Sequence, residues 1–218
     1  MKESFKIRMQ LLLVVSFFVV VCNAQTEWSL KKDKDGIKVY TGKLTDSKFN
    51  AIKVSCLLNG SLSSLAAIVL QPELQPEWVM ATKTARLEKK LAPNHLYYYA
   101  IASLPWPMLN RDMVIDLLIH QDSITKKMTI QANTINQIVP DIAGLQRVPF
   151  SNATWEVTPI GLNRIQVVYT LKINPGGGIP PWMVNMFIAK APLETFKNLA
   201  RIIQEKRFQV QQFDFIKN

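Results

Sequence analysis

Between residues 85 and 173, run after run of this chain alternates apolar and polar side chains. In Arg164–Ile173, the residues Ile165, Val167, Tyr169, Leu171 and Ile173 fall on one face, with Arg164, Gln166, Thr170 and Lys172 on the other. In Met113–Gln121, Met113, Ile115, Leu117 and Ile119 align opposite Asp116 and His120. A period of two belongs to a strand with one face buried and the other wet. The same reasoning gives candidate strands at Ala85–Leu91, His95–Leu104, Lys126–Asn133 and around Trp155. Their connections are short, so neighbours pair antiparallel. A sheet with one dry face needs another element to cover it.

The cover is supplied from both ends. Upstream, residues 28–43 read as a short lead-in, an Asp35-Gly36 turn and a strand, followed by a second strand at Phe49–Leu58. Ser61 is then a helix N-cap, and Leu62, Leu65, Ala66 and Val69 recur at helical spacing. Pro72 ends that helix, and the segment PELQPEWVM suggests a second short one. Downstream, Pro181 to about Phe208 is helical in composition, a length of ~40 Å at about 1.5 Å per residue. Pro192 is expected to kink it. The class is α+β: two strands, helices, then an antiparallel sheet, then one long C-terminal helix. A strongly curved sheet closed by a helix encloses a cavity.

Residues 1–24 read as a leader. Lys2, Lys6 and Arg8 precede the apolar run Leu11–Val21, and small residues precede Gln25, so cleavage is expected after Ala24. Lipid attachment at Cys22 competes, but Val21 is bulky for that site. The expected product is a single domain, 25–218, exported to the periplasm or the exterior. It keeps 23 Lys+Arg against 15 Asp+Glu, a net charge of +8. Scattered positive charge serves solubility and also suits transient contact with an anionic membrane surface; an exported chain makes nucleic acid an unexpected partner. Only Cys56 survives the cleavage, in an apolar strand, which excludes an intramolecular disulfide. His95 and His120 are the only histidines, and neither has metal-ligand spacing to a Cys or carboxylate. No nucleophile-elbow pattern occurs. No catalytic residue, metal or cofactor is assigned.

The segment INPGGGIPPWMVN, 173–185, joins the last strand to the last helix. Strand, glycines and helix together suggest a phosphate loop, but its parts are missing. Pro180 and Pro181 lack N–H groups, and no Lys, Ser or Thr lies between Pro175 and Asn185. The glycines instead form either a tight junction or a hinge before a lid helix.

Four segments, in order, resemble START domains, the lipid-transfer domains related to steroidogenic acute regulatory protein. They are DKDGIKVYTGK (33–43), LQPELQPEW (70–78), PWPMLNRDMVIDL (105–117) and NPGGGIPPWMVN (174–185). The resemblance, to an exported bacterial-type member, implies a helix-grip fold, a curved antiparallel sheet wrapped around a long C-terminal helix, and an internal cavity for one lipid or other hydrophobic molecule. Helix-grip relatives also include cyclases and aromatases, so an enzyme stays open, as does a lipid-sensing module. Two departures stand out. The long first helix of many members is reduced to little more than Trp28–Leu30. Sterol carriers often hold charges in the tunnel, whereas Tyr98 and Leu117 carry none.

The candidate ligand-binding residues are Tyr98, Trp106, Met108, Arg111, Met113, Leu117, Tyr169, Trp182, Met183, Met186 and Phe187. Trp106, Met108 and Leu109 put apolar groups in a loop, where polar ones are expected. They are read as a gate against the last helix, whose start carries Trp182, Met183, Met186 and Phe187. Arg111 beside Asp112 either fixes that loop, through the pair or through a carbonyl, or meets a ligand headgroup.

Overall fold

The computed structural model describes residues 26–45, 47–136, 138–161, 163–180, 182–184 and 188–217. The leader, Gln25, Pro181, Met186 and Phe187 lie outside the described residues.

The chain opens with a hairpin. β1 (Trp28–Lys34) and β2 (Ile37–Leu44) meet at Asp35 and Gly36, whose φ values of 55° and 75° make the turn that matches strand twist. Trp28–Leu30, expected as the remnant of a helix, therefore begins a strand. β3 (Ser47–Leu58) follows, then α1 (Leu62–Val69), a 3-10 turn (Pro72–Leu74) and α2 (Gln75–Trp78). The Ser61 hydroxyl accepts from the Ser64 N–H at 3.0 Å, capping α1 as the sequence predicts. The remaining strands are β4 (Thr82–Ala92), β5 (His95–Ala102), β6 (Asn110–Gln121), β7 (Met128–Thr134), β8 (Leu145–Arg147), β9 (Phe150–Pro159) and β10 (Ile165–Asn174).

These strands form one sheet in the order β1-β2-β3-β10-β9-β7-β6-β5-β4, antiparallel throughout, with the short β8 added parallel to β6. The helical connection after β3 carries the chain to the far edge, where β4 begins. That crossover brings β10 beside β3. The edges β1 and β4 are lysine-rich, which discourages pairing with other chains. β8 has no alternation to reveal it in the sequence. It holds Arg147 against Asp112 at 2.9 Å.

The C-terminal cover is broken rather than kinked. Residues 182–184 are helical, a turn intervenes at 188–189, and α3 runs Lys190–Ile202, followed by α4 (Lys206–Gln209). Pro192 does not bend α3. It sits in the first turn, where a missing N–H leaves no helical bond unmade. Leu193, Phe196, Leu199 and Ile202 repeat every three residues and are all buried. Each contributes roughly 1.5–3 kcal/mol of burial. α3 packs on β2, β3 and α2, and α1 packs on α4. α1 itself is buried along its whole length, and an added Cβ at Gly60 would lie 2.8 Å from Ile203.

Candidate functional site

The concave face of the sheet does not fully meet α3. A cavity of about 800 Å³ lies between them. Its cause is visible in the strand register. Ala100, Ala102, Ala132 and Ala153 all line it, at positions where larger side chains would fill the space. Ala132 faces Ala153 across β7–β9 and Leu117 across β6–β7, so small residues meet at the middle of the sheet.

The wall is mostly apolar, including Ile52, Met113, Ile115, Leu117, Ile130, Leu171 and Ile173. At one side aromatic rings gather. Trp155 stands edge-on to Trp78 at 6.2 Å and to Tyr169 at 4.8 Å, and Phe196 packs on Trp155 at 5.2 Å and on Tyr169 at 5.5 Å. Burial pushes the Tyr98 hydroxyl up to about 12, with a side-chain hydrogen bond from Gln75 opposing it. Burial, and then Tyr98, push Tyr169 higher still. Both phenols are neutral donors at physiological pH.

Arg111 and Asp112 do not pair with each other. Successive strand residues point to opposite faces. Arg111 turns inward, 5% exposed, and its Nε donates to the Pro175 carbonyl at 3.0 Å. Its terminal nitrogens donate to Leu109 O and, at 3.2 Å, to Gly176 O. Asp112 turns outward and accepts from Tyr99 Oη at 3.0 Å and Arg147 Nε at 3.1 Å. The carbonyl reading of Arg111 holds: one guanidinium ties the β5–β6 loop to the glycine segment. Burial lowers the Arg111 pKa.

That tie answers what the glycines are for. Gly176 and Gly177 adopt φ of +68° and +66°, which side chains disfavour. An added Cβ at Gly176 would lie 2.9 Å from the Arg147 carbonyl. Gly176 N–H donates to Asn174 Oδ1 at 3.0 Å. In this structure the segment is tied down by these hydrogen bonds. Only Gly178 is left with open space around it.

Of the residues singled out from sequence, Tyr98, Met108, Arg111, Met113, Leu117, Tyr169 and Met183 line the cavity. Trp106 and Trp182 do not: they are 92% and 64% exposed, on the outer side of the mouth. Trp106 lies between the cavity-lining Pro105 and Met108, and Trp182 immediately precedes the cavity-lining Met183. Met186 and Phe187 lie outside the described residues. Sequence reasoning missed Gln75, Trp78, Trp155 and Phe196. Gln75 and Trp78 come together only because α2 lies over the sheet. Trp155 and Phe196 had a usable signal, an aromatic residue on the buried face of an amphipathic element. His95 Nε2 lies 2.7 Å from Asp116 Oδ1 and does not line the cavity. Among the described residues, no three His, Cys, Asp or Glu side chains gather as a metal site.

The START domain family model matches residues 16–207. The chain belongs to the START family. An uncharacterized protein of Pseudomonas aeruginosa is 31% identical over 202 residues, 89% of this chain and 96% of its own length. The STAR-related lipid transfer protein of Xanthomonas axonopodis superposes with a TM-score of 0.76 at 25% identity, covering 82% of this chain and 99% of that chain. Human StAR-related lipid transfer protein 5 gives a TM-score of 0.72 at 14% identity, covering 93% and 95%, a likeness of fold.

Proposed function

We propose that this START domain is an exported carrier that shields one lipid or other hydrophobic molecule inside its cavity, without covalent chemistry. The observation that carries the reading is the 800 Å³ cavity with its apolar wall and inward alanines. Such a volume falls within the range of small-molecule sites. The driving force is burial of ligand surface, at roughly 25 cal/mol per Å². The Xanthomonas relative, named a lipid transfer protein, supports the same class.

Ligand exchange takes place at a membrane in this reading. Trp106, Leu109 and Trp182 are exposed beside cavity-lining Met108 and Met183. Tryptophan suits the boundary between lipid and water. The basic charge of the chain favours an anionic surface. Export follows from the leader: the intact mass of the mature protein is expected to begin at Gln25, and a species retaining Cys22 with a lipid adduct would contradict it.

The test of the carrier reading is Leu117→Trp. Leu117 lines the cavity opposite Ala132, so the indole should enter open space. Binding of the apolar dye Nile red should fall at least tenfold while the melting temperature stays nearly constant. In a filled core the same change costs about 1–3 kcal/mol. A large melt shift, with no dye binding by the parent, would refute the reading.

A further inference from the structure

We propose that the aromatic side of the cavity is a hydrogen-bonding subsite for an uncharged oxygen of the ligand, a hydroxyl or an ester carbonyl, held by Tyr98 and Tyr169. This rests on the carrier reading above. It specifies what part of the ligand is polar and where that part lies.

Tyr98 lines the cavity and is 8% exposed; Tyr169 lines it from β10 and packs on Trp155 and Phe196. Gln75 lines the same cavity and lowers the Tyr98 pKa against the larger effect of burial. Among the described residues the Tyr169 hydroxyl makes no hydrogen bond to protein. On the far side of Trp155 the buried indole N–H of Trp78 has no acceptor among the described residues. The cluster therefore has donors in surplus, in surroundings where an unmet donor is costly. A ligand oxygen acceptor completes it.

The charge of that oxygen follows from the rest of the wall. Arg111 and Lys190 are the charged side chains among the lining residues. Arg111 is committed to three carbonyls at the loop junction, and Lys190 stands at the start of α3, before Phe196 by almost two turns. Among the described residues no cation other than these lines the cavity, so a buried carboxylate or phosphate would lack a countercharge at the aromatic cluster. A neutral alcohol or ester meets the donors without that cost.

Four probes with one common chain separate the cases: oleyl alcohol, methyl oleate, oleate and 1-octadecene, each titrated by displacement of Nile red. The alcohol and ester should bind about tenfold or more tightly than the hydrocarbon. Oleate should bind more weakly than the alcohol at pH 8. Tyr98→Phe and Tyr169→Phe each remove one oxygen, and Tyr169→Phe breaks no protein hydrogen bond. Each should weaken the alcohol about three- to tenfold, the usual worth of a neutral hydrogen bond, and leave 1-octadecene unchanged. Equal affinity for alcohol and hydrocarbon, tighter binding of oleate, or Phe variants that weaken all probes alike would overturn the subsite while leaving the carrier intact. Failure of Nile red and all four probes to bind would overturn both.

Discussion

Single residues in this protein carry tests of their environment. Burial raises Tyr98 to about 12, and Tyr169 beyond that, above the ordinary phenol value near 10. The folded state thus holds these protons more tightly than the unfolded chain. Their contribution to stability is complete below pH ~10 and is lost as pH rises toward 12. Tyrosinate absorbance should therefore show late-titrating phenols whose ionisation accompanies unfolding, and binding of a neutral ligand should be flat between pH 6 and 9. Ionisation of all five tyrosines near pH 10 in a folded protein would refute this. The Cys56 thiol is likewise pushed up to about 12 by burial. It should resist a thiol reagent at pH 8 until the chain is unfolded. Arg111→Ala deprives three carbonyls of their donor and should cost about 2–4 kcal/mol in urea denaturation. Gly177→Ala, at φ +66°, should cost about 1–2 kcal/mol.

Among the elements, the difference between a cavity wall and a packed core can be measured. Leu199 is fully buried in α3 away from the cavity, whereas Leu171 on β10 lines it. Leu199→Ala should cost about 2–5 kcal/mol, because it leaves a new hole. Leu171→Ala merely enlarges an existing space and should cost less than half as much. Equal losses would mean that the cavity behaves as core. The strands themselves were legible in the sequence, since a period of two is a local signal; Ile165–Asn174 and Asn110–Gln121 stand within three residues of their expected bounds. The Ser61 cap was local too. What escaped were features fixed by register or by contact. Ala132 opposite Ala153 makes space only once β7 and β9 pair. Trp78 joins the wall only once α2 lies over the sheet. The broken C-terminal cover escaped because Pro192 looks the same in a kink and in a first turn.

At the scale of the whole molecule, the two ends of the site do different work. On the proposed reading the interior holds the ligand, and the exposed Trp106, Leu109 and Trp182 form the rim that would meet the surface supplying it. Changing Trp106 and Trp182 together to Ala should slow transfer of a fluorescent lipid between anionic vesicles at least fivefold, with little change in equilibrium affinity. A matching loss of affinity would instead put those indoles in the binding site. The central claim is that the cavity is built to be filled by a hydrophobic molecule. Native mass spectrometry of the protein purified from its host, followed by organic extraction, tests it directly. The account predicts a single non-covalent adduct per chain, released into solvent as an intact apolar compound with an uncharged oxygen. A chain that carries no adduct and takes up none from a total lipid extract would contradict it.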